Sequence, residues 1–136
     1  MSFELREHTA DVAVEATGSR LGETFAAVAD GMAAAMCDDV PANGERFGLE
    51  VEAESREALL FDYLDELIYR RDVDSVLPVE NTAGVTRTAD GWRISASARG
   101  VPRAGLGARE IKAVTYSDMV VERTEGGWRA YVVLDV

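Results

Sequence analysis

The residues best suited to chemistry stand near the two ends of the chain. His8 and Asp11 stand at the head of an apolar stretch, and Asp135 and Val136 close another one at the far end. If the two stretches are neighbouring strands, Asp11, Asp135 and the terminal carboxylate of Val136 form a cluster of hard oxygens. Ca²⁺ takes six to eight such ligands in proteins. The pattern therefore indicates a divalent-metal site, and the alternative is that Asp11 bonds to a turn N–H while Asp135 is solvated.

His8 and Lys112 are the other two polar candidates. His8 is the single histidine, which excludes a zinc site built from several imidazoles; it is suited either to base or ligand chemistry or to hydrogen bonding within a turn. Lys112 is the only lysine and begins an apolar stretch. A compact ammonium group can meet a phosphate or a partner's carboxylate, and the alternative is chance retention.

The sequence offers no convincing machinery for an independent enzyme. Ser117 and Cys37 have no base placed near them by a known motif, and no G-x-S-x-G elbow occurs. The glycines of 105–107 lack the spacing of a phosphate-binding loop. We therefore predict a protein without catalytic residues of its own.

The charge balance limits the kinds of partner that the protein can bind. The chain carries 25 acidic and 14 basic residues, a formal net charge of −11. Acidic surplus with lysine almost absent indicates adaptation to high salt, where the screening length falls to about 3 Å at 1 M; the alternative is an acidic protein that prefers arginine. Either way the balance disfavours direct binding of a phosphate backbone, which needs clustered Lys and Arg.

Length and hydropathy predict a single domain over residues 1–136. The start of the chain lacks a basic segment followed by an apolar core, and no apolar run approaches the ~20 residues of a membrane span. These features predict a cytoplasmic protein with no membrane contact.

The first half of the chain reads as strand, helix, strand, helix. Alternation over residues 12–17 predicts a half-buried strand, and Ser19 is the expected N-cap of an amphipathic helix that ends near Met36. Residues 46–53 alternate cleanly as a strand with one wet face. Ser55 is then expected to cap a second helix running to about Arg71.

The second half is rich in strands. Predicted strands cover residues 76–79, 85–88, 92–98, 113–122 and 128–135, with hairpins at 89–91 and 124–127 and a loop at 100–107. The short strand at 76–79 contains a proline and is expected at a sheet edge. Together the elements predict an α+β fold, a two-layer sandwich of two helices packed on one mixed, mainly antiparallel sheet.

Four segments together resemble the archease family. They are EHTADV at 7–12, the helical run at 59–69 that contains YLDELIY, IKAVTY at 111–116 and VLDV at 133–136. The segments occur in the family's order, and the resemblance covers essentially the whole chain. Archeases are partners of RtcB-type RNA ligases in tRNA splicing and RNA repair. They promote transfer of GMP from GTP onto the ligase histidine and help the ligase turn over repeatedly.

The resemblance implies the same accessory role here, with GTP and RNA reached only through the ligase. An alternative proposed for the family is a chaperone or modulator of RNA-modifying enzymes such as a tRNA cytosine methyltransferase. The resemblance also implies a site for Ca²⁺ or another divalent metal on Asp11, Asp135 and Val136. Lys112 matches a position that the family uses in ligase activation, and we assign His8 to the same partner-facing group.

Two residues depart from the family pattern. Tyr63 stands where the family usually has tryptophan, and Ser117 stands where the Thr-Tyr pair is usually followed by histidine. A role that needs that imidazole is not expected in this chain.

Overall fold

Helices and strands follow one another in the predicted order, with more and longer strands than expected. The computed structural model describes residues 2–8 and 11–136, and the side chains of all of these except residues 6–8. The elements are β1 (Ser2–His8), β2 (Asp11–Gly18), α1 (Leu21–Met36), β3 (Glu45–Ala53), α2 (Arg56–Asp74), β4 (Val76–Arg87), β5 (Trp92–Pro102), β6 (Ala113–Val114), β7 (Val120–Thr124) and β8 (Gly127–Asp135).

The strands form two sheets. Sheet A has the order β1-β2-β8, and the free edge of β8 pairs first with β7 and then with β6. Sheet B has the order β3-β5-β4. The predicted α+β class, with two helices packed on antiparallel strands, is confirmed. The expectation of one mixed sheet is refined, because within the described ranges there are two sheets and every strand pairing is antiparallel.

Helix α1 is the centre of the core. Most of its residues are buried, since it contacts β1, β2 and β8 of sheet A on one side and β4 of sheet B on the other. Two glycines allow this close packing. A Cβ at Gly22 would collide with the Ala83 carbonyl of sheet B, and one at Gly31 would collide with the Val14 side chain of sheet A. Both sheets therefore approach the helix backbone more closely than any other residue type permits.

The predicted N-cap of α1 is wrong, whereas that of α2 is confirmed. Arg20 is the N-cap residue of α1 and makes no side-chain cap, while the Ser19 hydroxyl donates to the Glu23 carboxylate instead. In α2 the Ser55 hydroxyl accepts from the Ala58 N–H at 3.0 Å. Helix α2 continues past Arg71 to Asp74 and ends on Ser75 in the left-handed region, with φ of 55°.

Strand β4 joins two segments that the sequence separates. The pairing with β5 shifts between Val79 and Thr82, and Glu80 in this bulge has φ of 50°. Asn81 anchors the bulge, because its backbone N–H and its side-chain amide both donate to the Asp30 carboxylate of α1, at 2.9 and 2.8 Å. The predicted position of β4 at a sheet edge is confirmed.

Two other boundaries differ from the prediction. Strand β5 extends to Pro102, so the loop expected from residue 100 begins at 103. The single strand expected over 113–122 is divided into β6 and β7 by a turn, in which Asp118 has φ of 56°. The hairpins at 89–91 and 124–127 lie where the sequence predicts them.

Candidate functional site

The ends of four neighbouring strands meet at one end of sheet A. His8 at the end of β1 is the register partner of Asp11 at the start of β2, and Asp11 is the partner of Asp135 at the end of β8. Ala113, at the start of β6, is the partner of Asp135 on its other side. The neighbouring strands expected from the sequence are therefore present, and they bring the two ends of the chain together. We call Asp11, Asp135 and Val136 the acidic edge.

The two aspartates of the acidic edge face each other. Directly opposed residues of antiparallel strands present their side chains on the same face, with Cβ atoms roughly 4.5–5.5 Å apart. Asp135 is exposed, whereas Asp11 is half-buried and its Oδ1 atom is shielded from solvent. Like charges directly opposite one another destabilise a strand pair. A cation bound between the carboxylates would remove that repulsion.

The oxygen atoms of the acidic edge suit a hard cation, but they make up only part of its coordination shell. The acidic edge offers carboxylate oxygens and the main-chain oxygens of Val136, which suit Ca²⁺ or Mg²⁺. Among the side chains that the structure describes, those of residues 2–5 and 11–136, no three from His, Cys, Asp or Glu come together as metal ligands. Two protein carboxylates supply fewer than the six to eight oxygens that Ca²⁺ takes. The described residues therefore fit a hard cation for which they supply part of the ligand set.

Lys112 is joined to the acidic edge by its backbone and not by its side chain. Its backbone N–H donates to the Asp135 carbonyl at 2.8 Å. Its side chain is exposed and, in the described part of the chain, forms no ion pair within 4.0 Å. The ammonium group is available to an external anion. The His8 side chain, also assigned to the partner-facing group, lies outside the described residues, as do Thr9 and Ala10.

A buried arginine, for which the sequence predicts no role, holds the segment that leads to Lys112. Arg71 is 2% exposed, and its guanidinium donates to the Ile111 carbonyl at 2.8 Å. This contact ties α2 to the residue that precedes Lys112. The signal available in the sequence is spacing, because Arg71 continues the buried helical stripe of Leu64 and Leu67.

Both departures from the family pattern have clear positions. Tyr63 is fully buried in the core, and burial raises the pKa of its phenol. Ser117 is exposed in the turn between β6 and β7. The preceding Tyr116 stacks on Phe61 with ring centroids 4.2 Å apart and remains 54% exposed. Desolvation, followed by the nearby Asp62 carboxylate, raises the pKa of Tyr116.

Comparison with known proteins gives one consistent family. The sequence pattern of the Archease protein family matches residues 3–136. Protein archease of Thermococcus kodakarensis is 34% identical over 139 residues, covering 98% of both chains, and that of Thermococcus gammatolerans is 36% identical over 144 residues with the same coverage.

Solved structures agree with the sequence comparison. Protein 1598 of Methanobacterium thermoautotrophicum matches with a TM-score of 0.86 and 33% identity, covering 99% of each chain. An archease of Thermotoga maritima, described as a possible chaperone, shares the fold with a TM-score of 0.62 at 21% identity, covering 98% of this chain and 96% of its own. None of the helices in the described ranges is long and apolar enough to cross a membrane.

Proposed function

The chain belongs to the archease family, and from this premise we propose that it is an accessory protein that activates an RtcB-type RNA ligase in tRNA splicing and RNA repair. It promotes guanylylation of the ligase histidine by GTP and supports repeated turnover. One observation carries the proposal, namely that Asp11 and Asp135 are opposed at the ends of the neighbouring strands β2 and β8.

The acidic edge would act inside or beside the nucleotide site of the ligase. Asp11 and Asp135 would hold one side of a divalent cation, and the ligase or its nucleotide would supply the remaining oxygens. When bound, such a cation neutralises charge on phosphate oxygens and orients them for in-line attack. Lys112, which is exposed and whose backbone N–H bonds to the Asp135 carbonyl, would meet a phosphate group.

The scaffold keeps this edge in one shape. Val12 and Leu134, the neighbours of the two aspartates along the strands, are buried and paired with each other across β2 and β8. The Arg71 contact fixes the segment leading to Lys112. A preformed edge of this kind loses little conformational freedom on binding.

The test is guanylylation of the cognate ligase by GTP at high KCl, with and without the protein. Asp11→Asn and Asp135→Asn should abolish the stimulation while the variants remain folded. Asp90→Asn is the matched control. Asp90 is exposed in the turn of the β4–β5 hairpin, which belongs to sheet B and not to the sheet that carries the acidic edge. Wild-type stimulation by either folded edge variant would refute the proposal.

A chaperone or modulator of RNA-modifying enzymes, such as a tRNA cytosine methyltransferase, is the second candidate. The observation that favours it is the exposure of large apolar side chains, among them Tyr69 and Val73 one turn apart on α2, and Tyr116. Under this alternative the carboxylates are dispensable, and replacing the exposed aromatic residues abolishes the effect on the client enzyme.

A further inference from the structure

A stack of arginine and tryptophan side chains lies at the opposite end of sheet A from the acidic edge. Arg87 lies over Trp92, with its Cζ 4.8 Å from the ring centroid, and Arg123 lies over Trp128 at 4.9 Å. Arg56 contacts both rings, at 5.8 Å from Trp92 and 5.0 Å from Trp128. We call these five residues the arginine–tryptophan ladder.

The fold assembles the ladder from separate segments. Arg87 and Trp92 are register partners beside the turn of the β4–β5 hairpin, and Arg123 and Trp128 are register partners beside the turn of the β7–β8 hairpin. The two hairpins belong to different sheets. Arg56, the first residue of α2, joins them by contacting both indole rings.

The charge of the ladder is not neutralised by the protein. Among the described residues, no ion pair or side-chain hydrogen bond involves Arg56, Arg87 or Arg123, although most other arginines of the chain bond to carboxylates or carbonyls. Arg56 also stands at a helix N-terminus, where the helix dipole disfavours positive charge. Three guanidinium groups with no ion pair within 4.0 Å among the described residues therefore lie close together in a chain with a net charge of −11.

We propose that the arginine–tryptophan ladder binds single-stranded RNA directly, with phosphates on the guanidinium N–H groups and bases stacked on its two ends. A guanidinium group that stacks on a ring keeps its N–H donors at the edge for phosphate. Arg87 and Arg123 each contact one indole ring only. The outer planes of their guanidinium groups are therefore available to a flat base, as occurs in RNA recognition.

The alternating stack favours RNA over an acidic protein partner. An acidic protein could place carboxylates on the guanidinium edges, but it would need a separate aromatic side chain at each position that continues the stack, whereas each nucleotide carries both a phosphate and a flat base. A nucleobase continues it, and a π-face is common to all four bases, so binding without sequence preference is expected. The inference goes beyond the proposed ligase activation and does not rest on it. It also reverses, for this one surface, the argument from net charge against a direct nucleic-acid contact.

The test is binding of a fluorescent oligouridylate of about 12 nucleotides, within the range that single-strand sites cover, followed by anisotropy at several KCl concentrations. Three phosphate contacts predict that a tenfold rise in salt weakens binding about 100-fold. Arg87→Gln combined with Arg123→Gln should weaken binding at least about tenfold and reduce the salt slope by about 1.4.

The matched control removes the same charge elsewhere. Arg20→Gln combined with Arg93→Gln replaces two arginines outside the ladder that approach glutamates, and it should bind within twofold of wild type. Circular dichroism and thermal unfolding establish that both double variants are folded. Equal loss in the control, or no binding by wild-type protein at low salt, would overturn the proposal.

Two further arms separate stacking from charge. Arg87→Lys with Arg123→Lys keeps both charges and should retain the salt slope but lose affinity, because ammonium groups do not stack on bases. Wild-type affinity in this variant, or equal competition by an oligoglutamate of the same charge, would refute RNA as the ligand and favour an acidic protein partner.

The ladder and the acidic edge can be tested independently. Guanylylation consumes GTP and needs no RNA, so the ladder variants should still stimulate the ligase in that assay. The Asp11→Asn and Asp135→Asn variants should still bind the oligonucleotide. Wild-type RNA binding by the ladder variants would therefore overturn the RNA proposal alone, and wild-type stimulation by the edge variants would overturn the ligase proposal alone.

Discussion

Replacing Asp135 by asparagine should change the stability of the protein in opposite directions with and without a divalent cation. Asp11 and Asp135 are directly opposed in the register of β2 and β8, and like charges in such positions destabilise a strand pair. The substitution removes one of the two charges and keeps the shape of the side chain. In the metal-bound protein the same substitution removes a ligand.

The magnitude of each effect follows from the geometry. Two charges about 5 Å apart repel by about 0.8 kcal/mol in water and by about 3 kcal/mol at an effective dielectric constant of 20. Because Asp135 is exposed, the lower value applies, and Asp135→Asn should raise the free energy of unfolding by about 0.5–1 kcal/mol at low salt. Close to 1 M KCl the gain should disappear, because the screening length is only about 3 Å.

The metal contribution is larger. Ca²⁺ at 100 times its Kd stabilises a folded protein by about 2.7 kcal/mol. For a domain of this size that raises Tm by about 10 °C. The Asp135→Asn variant should show little of this rise, so it melts above wild type in EDTA and below it in saturating Ca²⁺.

Thermal unfolding monitored by circular dichroism, in EDTA and in a Ca²⁺ titration, measures both effects. Asp90→Asn is again the control and should respond to Ca²⁺ as wild type does. An equal Tm rise with Ca²⁺ in wild type and Asp135→Asn would refute the assignment of the metal to the acidic edge. A lower Tm for the variant in EDTA would refute the repulsion argument.

Three other substitutions test the account of the fold. Arg71→Met should lower the free energy of unfolding by about 1–3 kcal/mol, because it leaves the buried Ile111 carbonyl without its donor; urea unfolding measures this. Tyr63→Phe should be neutral or stabilising by up to about 1 kcal/mol, since the buried hydroxyl has no hydrogen-bond partner among the described residues. Glu80→Gln should remove an acid-dependent contribution. The hydrogen bond from Arg99, with its charge, lowers the pKa of the Glu80 carboxyl, so this stability is present above the unfolded pKa of about 4.3 and is lost as pH falls through the lower folded value.

The controls for these variants follow from exposure. Arg70→Met removes partly exposed helix pairs with Glu66 and Asp74 and the contact of the guanidinium group with the Phe47 ring, and it should cost no more than about 1 kcal/mol. A larger cost than that of Arg71→Met would contradict the role given to Arg71. A loss above about 1 kcal/mol in Tyr63→Phe would mean that the hydroxyl is bonded, for instance to a buried water. A constant stability gap between wild type and Glu80→Gln from pH 7 to pH 2 would contradict the pH argument.

The sequence predicts the meeting of Asp11 with Asp135 only in part. Local patterns place each aspartate at the end of an apolar strand, whereas the pairing of the two strands joins distant parts of the chain and was supported by the family resemblance. The β4 bulge could not be predicted in this way. Asn81 is held by Asp30 of α1, so the reason for its conformation lies in another element.

The arginine–tryptophan ladder is a clearer example of a feature that cannot be predicted from local sequence patterns. Arg56, Arg87 and Arg123 are far apart in the sequence, and none of them stands in a basic run. Net charge and run length therefore indicated no phosphate-binding surface. The pairing of the β4–β5 and β7–β8 hairpins, followed by the placement of α2 between their ends, creates the cluster.

The two glycines of α1 have a mechanical consequence. Gly22 and Gly31 are nine residues apart, which at about 100° per residue places them on opposite sides of the helix. Each side admits the backbone or a side chain of a different sheet. If α1 shifted by one turn, other residues would replace Gly22 and Gly31 at these close contacts, and their side chains would collide with both sheets. The helix therefore fixes the positions of the two sheets relative to each other through these two close contacts.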